Sequence, residues 1–316
     1  MTEKPFLLAP MAEISHRALR ELVAGFGGCD ERFSEMISAG ALISGGRYES
    51  WYLDSAPEPE KFVYQLVGGN ADHLANAVSF LEPYECAGFD INMGCSAPSI
   101  IRAGGGVQWM SSIDKAGDMI ACVRKRTKRR LSVKLRIGFA YDFDYLVSFC
   151  KRLEAEGVER ITLHPRIARE KFKRGASWEY TAMLRKQLRI PVAGNGDILS
   201  AEEMNRRSLE CDAIMVGRLA VQKPWVFAQA RGLPLPGMID LEEVAVRFLD
   251  MLAKYQPPEF HKSRAQRFFT YFCSNFKWAN YVRTLLGRET ELSAMRKVLE
   301  GFFRENPEER FAAGGT

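Results

Sequence analysis

A cysteine stands directly after a short apolar run in the segment GFDINMGCSAP, residues 88–98. The run 89–93 is typical of a buried strand, and Gly94 breaks it one residue before Cys95. A thiol with an unperturbed pKa of about 8.5 still carries its proton at neutral pH, whereas a carboxyl group with a pKa of about 4 does not. Cys95 is therefore suited to donate a proton at a strand end. The other six cysteines are expected to be small apolar fillers.

Short strand-like runs recur along the chain, and amphipathic helical segments separate them. This alternation predicts parallel strands joined by right-handed crossovers. Eight such units favour a (β/α)8 TIM barrel, and no GxGxxG follows the first strand as it would in a Rossmann fold. The predicted strands cover residues 6–11, 30–36, 62–68, 89–94, 131–138, 160–166, 190–197 and 213–218.

The polar residues at the ends of these strands indicate a flavin site, because a TIM barrel builds its active site at the carboxyl ends of its strands. The segments 195–197 (Asn-Gly-Asp) and 217–218 (Gly-Arg) follow the last two strands, where backbone amides commonly bind a phosphate. Gln65 can donate to and accept from the edge of a heteroaromatic ring. Lys134 can stabilise negative charge on a reduced ring. Together these groups predict flavin mononucleotide, FMN.

The strand–helix alternation stops near Gly232, which divides the chain into two predicted domains. We expect a catalytic barrel over residues 1–232, a proline-stiffened linker at 233–237 and an all-helical domain over 238–316. The polar, glycine-ended tail RENPEERFAAGGT is expected to fray.

Composition narrows the class of protein further. Seven scattered cysteines without a CxxC pair and four histidines predict no disulfide framework and no metal site, and they favour a reducing cytoplasm. No apolar run approaches the ~20 residues of a membrane span, and the N-terminus does not resemble a secretory signal. The net charge of +5 is compatible with a polyanionic partner.

Several motifs, in their order along the chain, resemble those of the tRNA-dihydrouridine synthase family. They are APMAEISHRALREL, SEMISAGAL, YQLVGGN, FDINMGCSAP with AGGG, SVKLRIG, LHPR, PVAGNGDI, IMVGR and QKPWVF. The resemblance implies an FMN-binding barrel followed by a helical tRNA-binding domain. It also implies an enzyme that uses NADPH to reduce the carbon 5–carbon 6 double bond of uridines in tRNA.

Carried onto this sequence, the resemblance makes Cys95 the proton donor. FMN would be held by residues at the strand ends, namely Pro10, Met11, Ala12, Gln65, Lys134, His164, Asn195, Gly196, Asp197, Gly217 and Arg218. The RNA, in its D-loop region, would meet polar residues of the rim, the basic loop after the sixth strand and cations of the C-terminal helices. These expected contacts are Glu35, Asn92, Arg136, Arg166, Arg169, Lys171, Arg174, Lys262, Arg264 and Arg267. We expect a monomer.

Three positions depart from the pattern of that family. Ser96 stands where a proline usually follows the cysteine, and Ser99 where a lysine is common. Pro165 takes the place of the glycine in an HGR motif. None of these changes removes the thiol or the expected flavin contacts.

Two basic segments receive different interpretations. The densest run, RKRTKRR at 124–130, precedes the fifth strand and is expected at the bottom of the barrel, opposite the site. It is more typical of a solvated helix end than of an RNA contact. The segment 261–288 carries six Lys or Arg residues and no acidic one. Its cations are the expected RNA contacts, and its aromatic residues are expected mostly in the helical core.

Two other functions share part of this pattern. Another FMN barrel, such as a dihydroorotate or dihydropyrimidine dehydrogenase, acts on a free small molecule and has no need of a basic helical domain. A barrel that binds RNA without catalysis would be expected to lack flavin-binding residues, which this sequence retains.

Overall fold

A computed structural model describes residues 3–170 and 174–314. Eight parallel strands form a closed barrel in which the order in space follows the order in the chain, and β1 pairs with β8 to close it. The TIM barrel predicted from the sequence is confirmed. Its strands are β1 (Phe6–Leu8), β2 (Glu31–Ser38), β3 (Phe62–Val67), β4 (Gly88–Met93), β5 (Arg130–Gly138), β6 (Arg160–Ile167), β7 (Val192–Asn195) and β8 (Ala213–Val216).

Helices connect successive strands on the outside of the barrel. Five of those described begin at a polar side chain (Ser38, Asn70, Ser112, Asp142 or Ser200) that accepts a hydrogen bond from the backbone N–H three residues later. These helices are α1 (Arg17–Phe26), α2 (Ala39–Ile43), α3 (Ala71–Leu81), α4 (Pro98–Arg102), α5 (Ile113–Arg124), α6 (Phe143–Ala155), α7 (Glu179–Arg185), α8 (Ala201–Arg207), α9 (Arg218–Gln222) and α10 (Val226–Ala230).

The basic run 124–130 lies at the amino-terminal end of β5, and thus at the bottom of the barrel as predicted. Its arginines stabilise the structure there. Arg129 donates hydrogen bonds to the carbonyl oxygens of Glu82 and Tyr84 at 3.0 and 2.7 Å. Arg130 forms a bidentate pair with Glu31, at 2.6 and 2.9 Å. Arginines of this basic run therefore bind protein groups, and the run is more than the solvated helix end predicted from the sequence.

Over the described residues 238–314, the C-terminal region is helical as predicted, with four α-helices, and it also contains two short strands. Antiparallel pairing joins the start of the region to its end, and Gly314 N donates to Gly237 O at 3.1 Å. The tail up to Gly314 is therefore paired, contrary to the fraying predicted for it. The elements are β9 (Met238–Asp240), α11 (Leu241–Tyr255), α12 (Pro258–Phe272), α13 (Ala279–Arg288), α14 (Leu292–Glu305) and β10 (Phe311–Ala313).

The C-terminal helices share a hydrophobic core with one side of the barrel. α11 packs against α1, and α12 packs against α9. Four aromatic residues of the segment 261–288 belong to this core, as predicted: Phe268, Phe269, Phe272 and Phe276. Trp278 and Tyr281 are instead half exposed, at 50% and 56%. In the described ranges, no helix has the length and apolar content needed to cross a lipid bilayer.

A buried histidine lies where α1 meets α11. His16 is 3% exposed, its ring lies 6.0 Å from that of Phe248, and neither ring nitrogen has a hydrogen-bond partner among the described residues. Burial, followed by the guanidinium groups of Arg264 and Arg20, holds the pKa of His16 well below its ordinary value of 6.5. The folded protein therefore keeps this imidazole neutral.

Replacing His16 with methionine should reduce the sensitivity of the fold to acid. In the unfolded chain, His16 takes up a proton below a pH of about 6.5, whereas the folded protein resists it. Stability from this group is thus complete above that pH and falls by up to about 1.4 kcal/mol per pH unit below it. The urea midpoint of His16→Met minus that of the original protein should increase as the pH is lowered from 7.5 to 5.5. His73→Met, at an exposed position, is the control, and an equal shift in both variants would contradict the assignment.

Candidate active site

A cleft of about 670 Å³ opens at the carboxyl ends of the barrel strands. This volume lies in the range of sites for cofactors and small molecules. The loops after β1, β4, β7 and β8 form most of its wall, and α12 of the C-terminal region completes it. Its predicted members are Pro10, Met11, Ala12, Asn92, Cys95, Lys134, Arg136, His164, Asn195, Gly196, Asp197, Gly217, Arg218 and Arg267.

Cys95 lies in the wall of this cleft, immediately after β4. The side chain of Asn92 accepts hydrogen bonds from the backbone N–H groups of Gly94 and Cys95, at 3.1 and 2.8 Å. On the other side, the carbonyl of Cys95 accepts from Val107 N at 3.0 Å. The backbone on both sides of the thiol is therefore fixed. All seven cysteines are free thiols, and among the described residues Cys95 is the one cysteine of the cleft wall.

A chain of hydrogen bonds inside the barrel supports Asn92 from below. Ser132 Oγ donates to Asp90 at 2.6 Å, and Gln65 Nε2 donates to the other oxygen of Asp90 at 2.7 Å. Asn92 Nδ2 donates to Gln65 Oε1 at 2.9 Å. Burial raises the pKa of Asp90, while the hydrogen bonds from Ser132 and Gln65 act in the opposite direction. Side chains of three adjacent strands thus set the conformation of the Cys95 loop.

This chain shows a structural role for Gln65 and Asn92 in addition to the contacts predicted for them. Gln65 is fully buried beneath the cleft, and both ends of its amide already have partners in Asp90 and Asn92. It does not border the cleft, and its contact with a ring edge stays a prediction. Asn92 borders the cleft, but its carbonyl oxygen holds the Cys95 loop and is not directed at a base. The period of a strand gives the face on which a side chain lies, but not its depth in the barrel.

Positive charge is concentrated on the side of the cleft formed by β5 and β6. The pKa of His164 is held well below its ordinary value by burial and then by Lys134 and Arg136, with smaller effects from Arg166 and Arg218. Burial, followed by the Arg136 guanidinium, lowers the pKa of Lys134 to about 8. Bringing an anion into the cleft would relieve this repulsion. The site is therefore electrostatically prepared for a negatively charged group.

The chain makes a tight backbone turn directly after β7, beside these cations. Gly196 has φ 117° and Asp197 has φ 50°. A Cβ atom at Gly196 would lie 2.7 Å from the His164 ring, so glycine is required there. The Asp197 carboxylate pairs with Arg166 and, at 3.0 Å, with Arg218. The segments 195–197 and 217–218 thus both lie in the cleft wall, and their contact with a phosphate stays a prediction.

Comparison with known proteins identifies the family to which these features belong. The family model described as Dihydrouridine synthase (Dus) matches residues 7–299. The chain belongs to the dihydrouridine synthase family. It is 30% identical to a "Probable tRNA-dihydrouridine synthase" of Aquifex aeolicus over 80% of this chain and 81% of that protein. It is 26% identical to a protein of the same description from Helicobacter pylori, over 96% and 93%. With "tRNA-dihydrouridine synthase B" of Pseudomonas syringae the identity is 24%, over 95% and 91%.

Two of the departures from the pattern of the dihydrouridine synthase family lie at this site. Ser96 borders the cleft next to Cys95, and the delayed Pro98 begins α4 at its first position, where proline is well tolerated. The carbonyl of Pro165 accepts a hydrogen bond from Ser177 N at 2.9 Å, so this residue holds the far end of the loop after β6. Both substitutions are compatible with the family fold.

The residues predicted to contact RNA do not form one surface. Arg166 is 2% exposed and binds Asp197 and the carbonyl of Arg174, so it organises the loop after β6 from inside. Glu35 and Arg264 form a buried pair, and burial outweighs the attraction of Arg264 in raising the pKa of Glu35. Direct contact of these three residues with RNA is contradicted by their burial. Arg169, Arg174 and Lys262 are exposed outside the cleft, and Lys171 lies outside the described residues.

Two features of the site were not predicted from the sequence. Tyr271 of α12 borders the cleft, four residues after Arg267 and on the same face of the helix. Asp90 anchors the hydrogen-bond chain beneath Asn92. The signal for Asp90 was available, because a carboxylate in a continuous apolar strand requires a partner. Tyr271 gave no such signal, because its segment contains aromatic residues on every face.

Proposed function

We propose that the chain is an FMN-dependent tRNA-dihydrouridine synthase, in which NADPH supplies the reducing equivalents and uridine in tRNA is reduced at its carbon 5–carbon 6 double bond. The observation that supports this most directly is the Cys95 thiol, fixed at a barrel strand end in a cationic cleft. Membership in the dihydrouridine synthase family, together with near full-length similarity to curated relatives, supports the reaction class.

The residues of the cleft fit FMN. The tight turn at Gly196 and the glycine at position 217, both in the cleft wall, would allow backbone amides to approach a phosphate, and Arg218 lies beside them. Lys134 and Arg136 line the cleft, where they could compensate negative charge on a reduced ring. Pro10, Met11 and Ala12 provide an apolar wall opposite. A site with these donors and a volume of about 670 Å³ suits a phosphorylated planar ring.

Cys95 and the cations around it divide the work of protonation in this proposal. Bound reduced FMN would supply the hydride that carbon 6 of the base receives. The Sγ atom of Cys95 gives its proton to carbon 5. The remaining thiolate is stabilised by Lys134 and Arg136, both of which interact with Cys95 electrostatically. Asn92 holds the backbone at Cys95, which keeps this residue in the cleft wall.

The RNA must present a single nucleotide to this cleft, because a base in a folded stem cannot reach it. We propose that residues 238–316 hold the tRNA near its D-loop. The exposed cations Lys262 of α12 and Arg174 of the barrel loop after β6 would contact the RNA backbone. The half-exposed Trp278 and Tyr281 are further candidates, by stacking. A protein with this substrate and free thiols fits the reducing cytoplasm, and we propose that it acts as a monomer.

The test is reduction of an unmodified tRNA transcript by the purified protein with FMN and NADPH. We expect a yellow protein that forms dihydrouridine, detected by mass spectrometry of the digested RNA. Mapping dihydrouridine in tRNA from a strain that lacks the protein would identify the position. A protein that reduces only free uracil or orotate would contradict the tRNA assignment, and a protein that cannot be reconstituted with FMN would contradict the cofactor.

A further inference from the structure

Two carboxylates of β2, four residues apart, pair with arginines of different regions. Glu31, at the bottom, pairs with Arg130 and Arg160 of the barrel itself, each at 2.6 Å. Glu35, in the middle of the strand, pairs with Arg264 of α12 at 3.1 Å. The side chains of this second pair are only 4% and 3% exposed. The barrel and the C-terminal region are therefore joined by a buried charge pair next to the cleft.

The backbone of β2 is irregular where it presents Glu35. The pairing register between β2 and β3 shifts between Phe33 and Met36. In the shifted segment, Ser34 Oγ accepts the backbone N–H of Gln65 at 2.8 Å. Such irregularities near active sites redirect a side chain out of its regular place in the ladder. Here the shift directs Glu35 toward the C-terminal region and the loop after β1.

The second oxygen of Glu35 holds the loop after β1, whose residues 10–12 line the cleft. It accepts the backbone N–H of Glu13 at 2.6 Å. Glu13 has φ 62°, a conformation that side chains other than glycine adopt only when their surroundings impose it. The side chain of Glu13 in turn accepts from Arg267 of α12 at 2.8 Å. This loop is thus fixed by Glu35 through its backbone and by α12 through its side chain.

One face of α12 runs from this buried pair into the cleft. Arg264, Arg267 and Tyr271 are spaced by three and four residues and so lie on the same side of the helix. We propose that Glu35 and Arg264 are positioning residues, which fix α12 and the loop 10–15 against each other so that RNA held by the C-terminal region meets the cleft in register. The inference rests on the proposed function, and it adds a mechanical link between the two regions.

The test compares Glu35→Gln with Glu31→Gln, which neutralises the other carboxylate of the same strand far from the cleft. In Glu35→Gln, kcat/KM for tRNA should fall by ~10–100-fold, the loss expected from misplacement of a substrate by about an ångström. NADPH oxidation with molecular oxygen as acceptor should fall less than kcat/KM for tRNA, because this reaction does not need RNA held by the C-terminal region. Amide hydrogen exchange, measured on the protein without cofactor, should become about tenfold faster in residues 10–15 and 258–272. Arg264→Met should reproduce both effects, without adding to them in the double variant.

Glu31→Gln should leave kcat/KM for tRNA and exchange in those two segments unchanged, whatever its effect on overall stability. Equal losses in the two variants, or unchanged exchange in Glu35→Gln, would overturn the link. If the original protein forms no dihydrouridine, the proposed function fails, and the exchange measurement still decides whether Glu35 couples the two regions.

Discussion

Cys95→Ala should lower the rate of dihydrouridine formation by ~10²–10⁴-fold, the usual contribution of a positioned general acid. The physical reason is that the variant can still bind base and cofactor, but it has no proton to deliver to carbon 5 from the cleft wall. Reduction of bound FMN by NADPH should proceed at nearly its original rate, because that step does not involve the thiol. Single-turnover measurements with pre-reduced protein and tRNA separate the two steps.

The matched control is Cys122→Ala, which removes a half-buried free thiol from α5, away from the cleft. Its rate of dihydrouridine formation should equal that of the original protein. If Cys95→Ala formed dihydrouridine at the original rate, Cys95 would not be the acid. A similar loss in both variants would instead indicate a general effect of removing a thiol.

Lys134→Met should weaken FMN binding by about 100-fold, because truncating one member of a buried charge pair costs about 2–5 kcal/mol. Titration of the cofactor-free protein, followed by flavin fluorescence, measures the effect. The pH dependence has a defined sign. Since burial and Arg136 lower the pKa of Lys134 to about 8, the cation is lost as the pH rises through that value. Affinity of the original protein should therefore decline above pH 8, whereas that of Lys134→Met should change less.

Lys262→Met provides the comparison, because Lys262 is an exposed lysine outside the cleft. It should leave FMN affinity within about twofold, as expected for a screened surface charge. Equal affinities for Lys134→Met and the original protein would show that the cofactor does not depend on this cation.

The barrel was predictable because its signals are local. Each strand is a short apolar run, each is followed by an amphipathic helix, and the carboxyl ends of parallel strands must meet at one rim. This rule was enough to bring Cys95, Lys134 and His164 together. The strand β2 gave the weakest signal because it is charged, and it was predicted nonetheless; Glu31 and Glu35 pair with arginines of other elements.

The sequence does not indicate how deep a side chain lies in the barrel, or which residue distant in the chain it contacts. Gln65 pairs in register with Asp90, two residues before the end of β3, so it lies one layer below the rim. Arg264 looked like an RNA contact because charge in a helix is usually solvated, and its partner stands 229 residues earlier in the chain. Likewise β10 has only three residues, too few to show a period, and it forms against a partner at the opposite end of its region.

The hydrogen-bonded series Ser132–Asp90–Gln65–Asn92 means that side chains inside the barrel determine the conformation of the Cys95 loop. A change such as Ser132→Val, out of reach of any substrate, would leave Asp90 with one donor fewer and would be transmitted to the thiol through two amides. Sequence variation in these hidden positions can thus adjust reactivity while the outer surface stays constant. Engineering of the enzyme would do well to begin there.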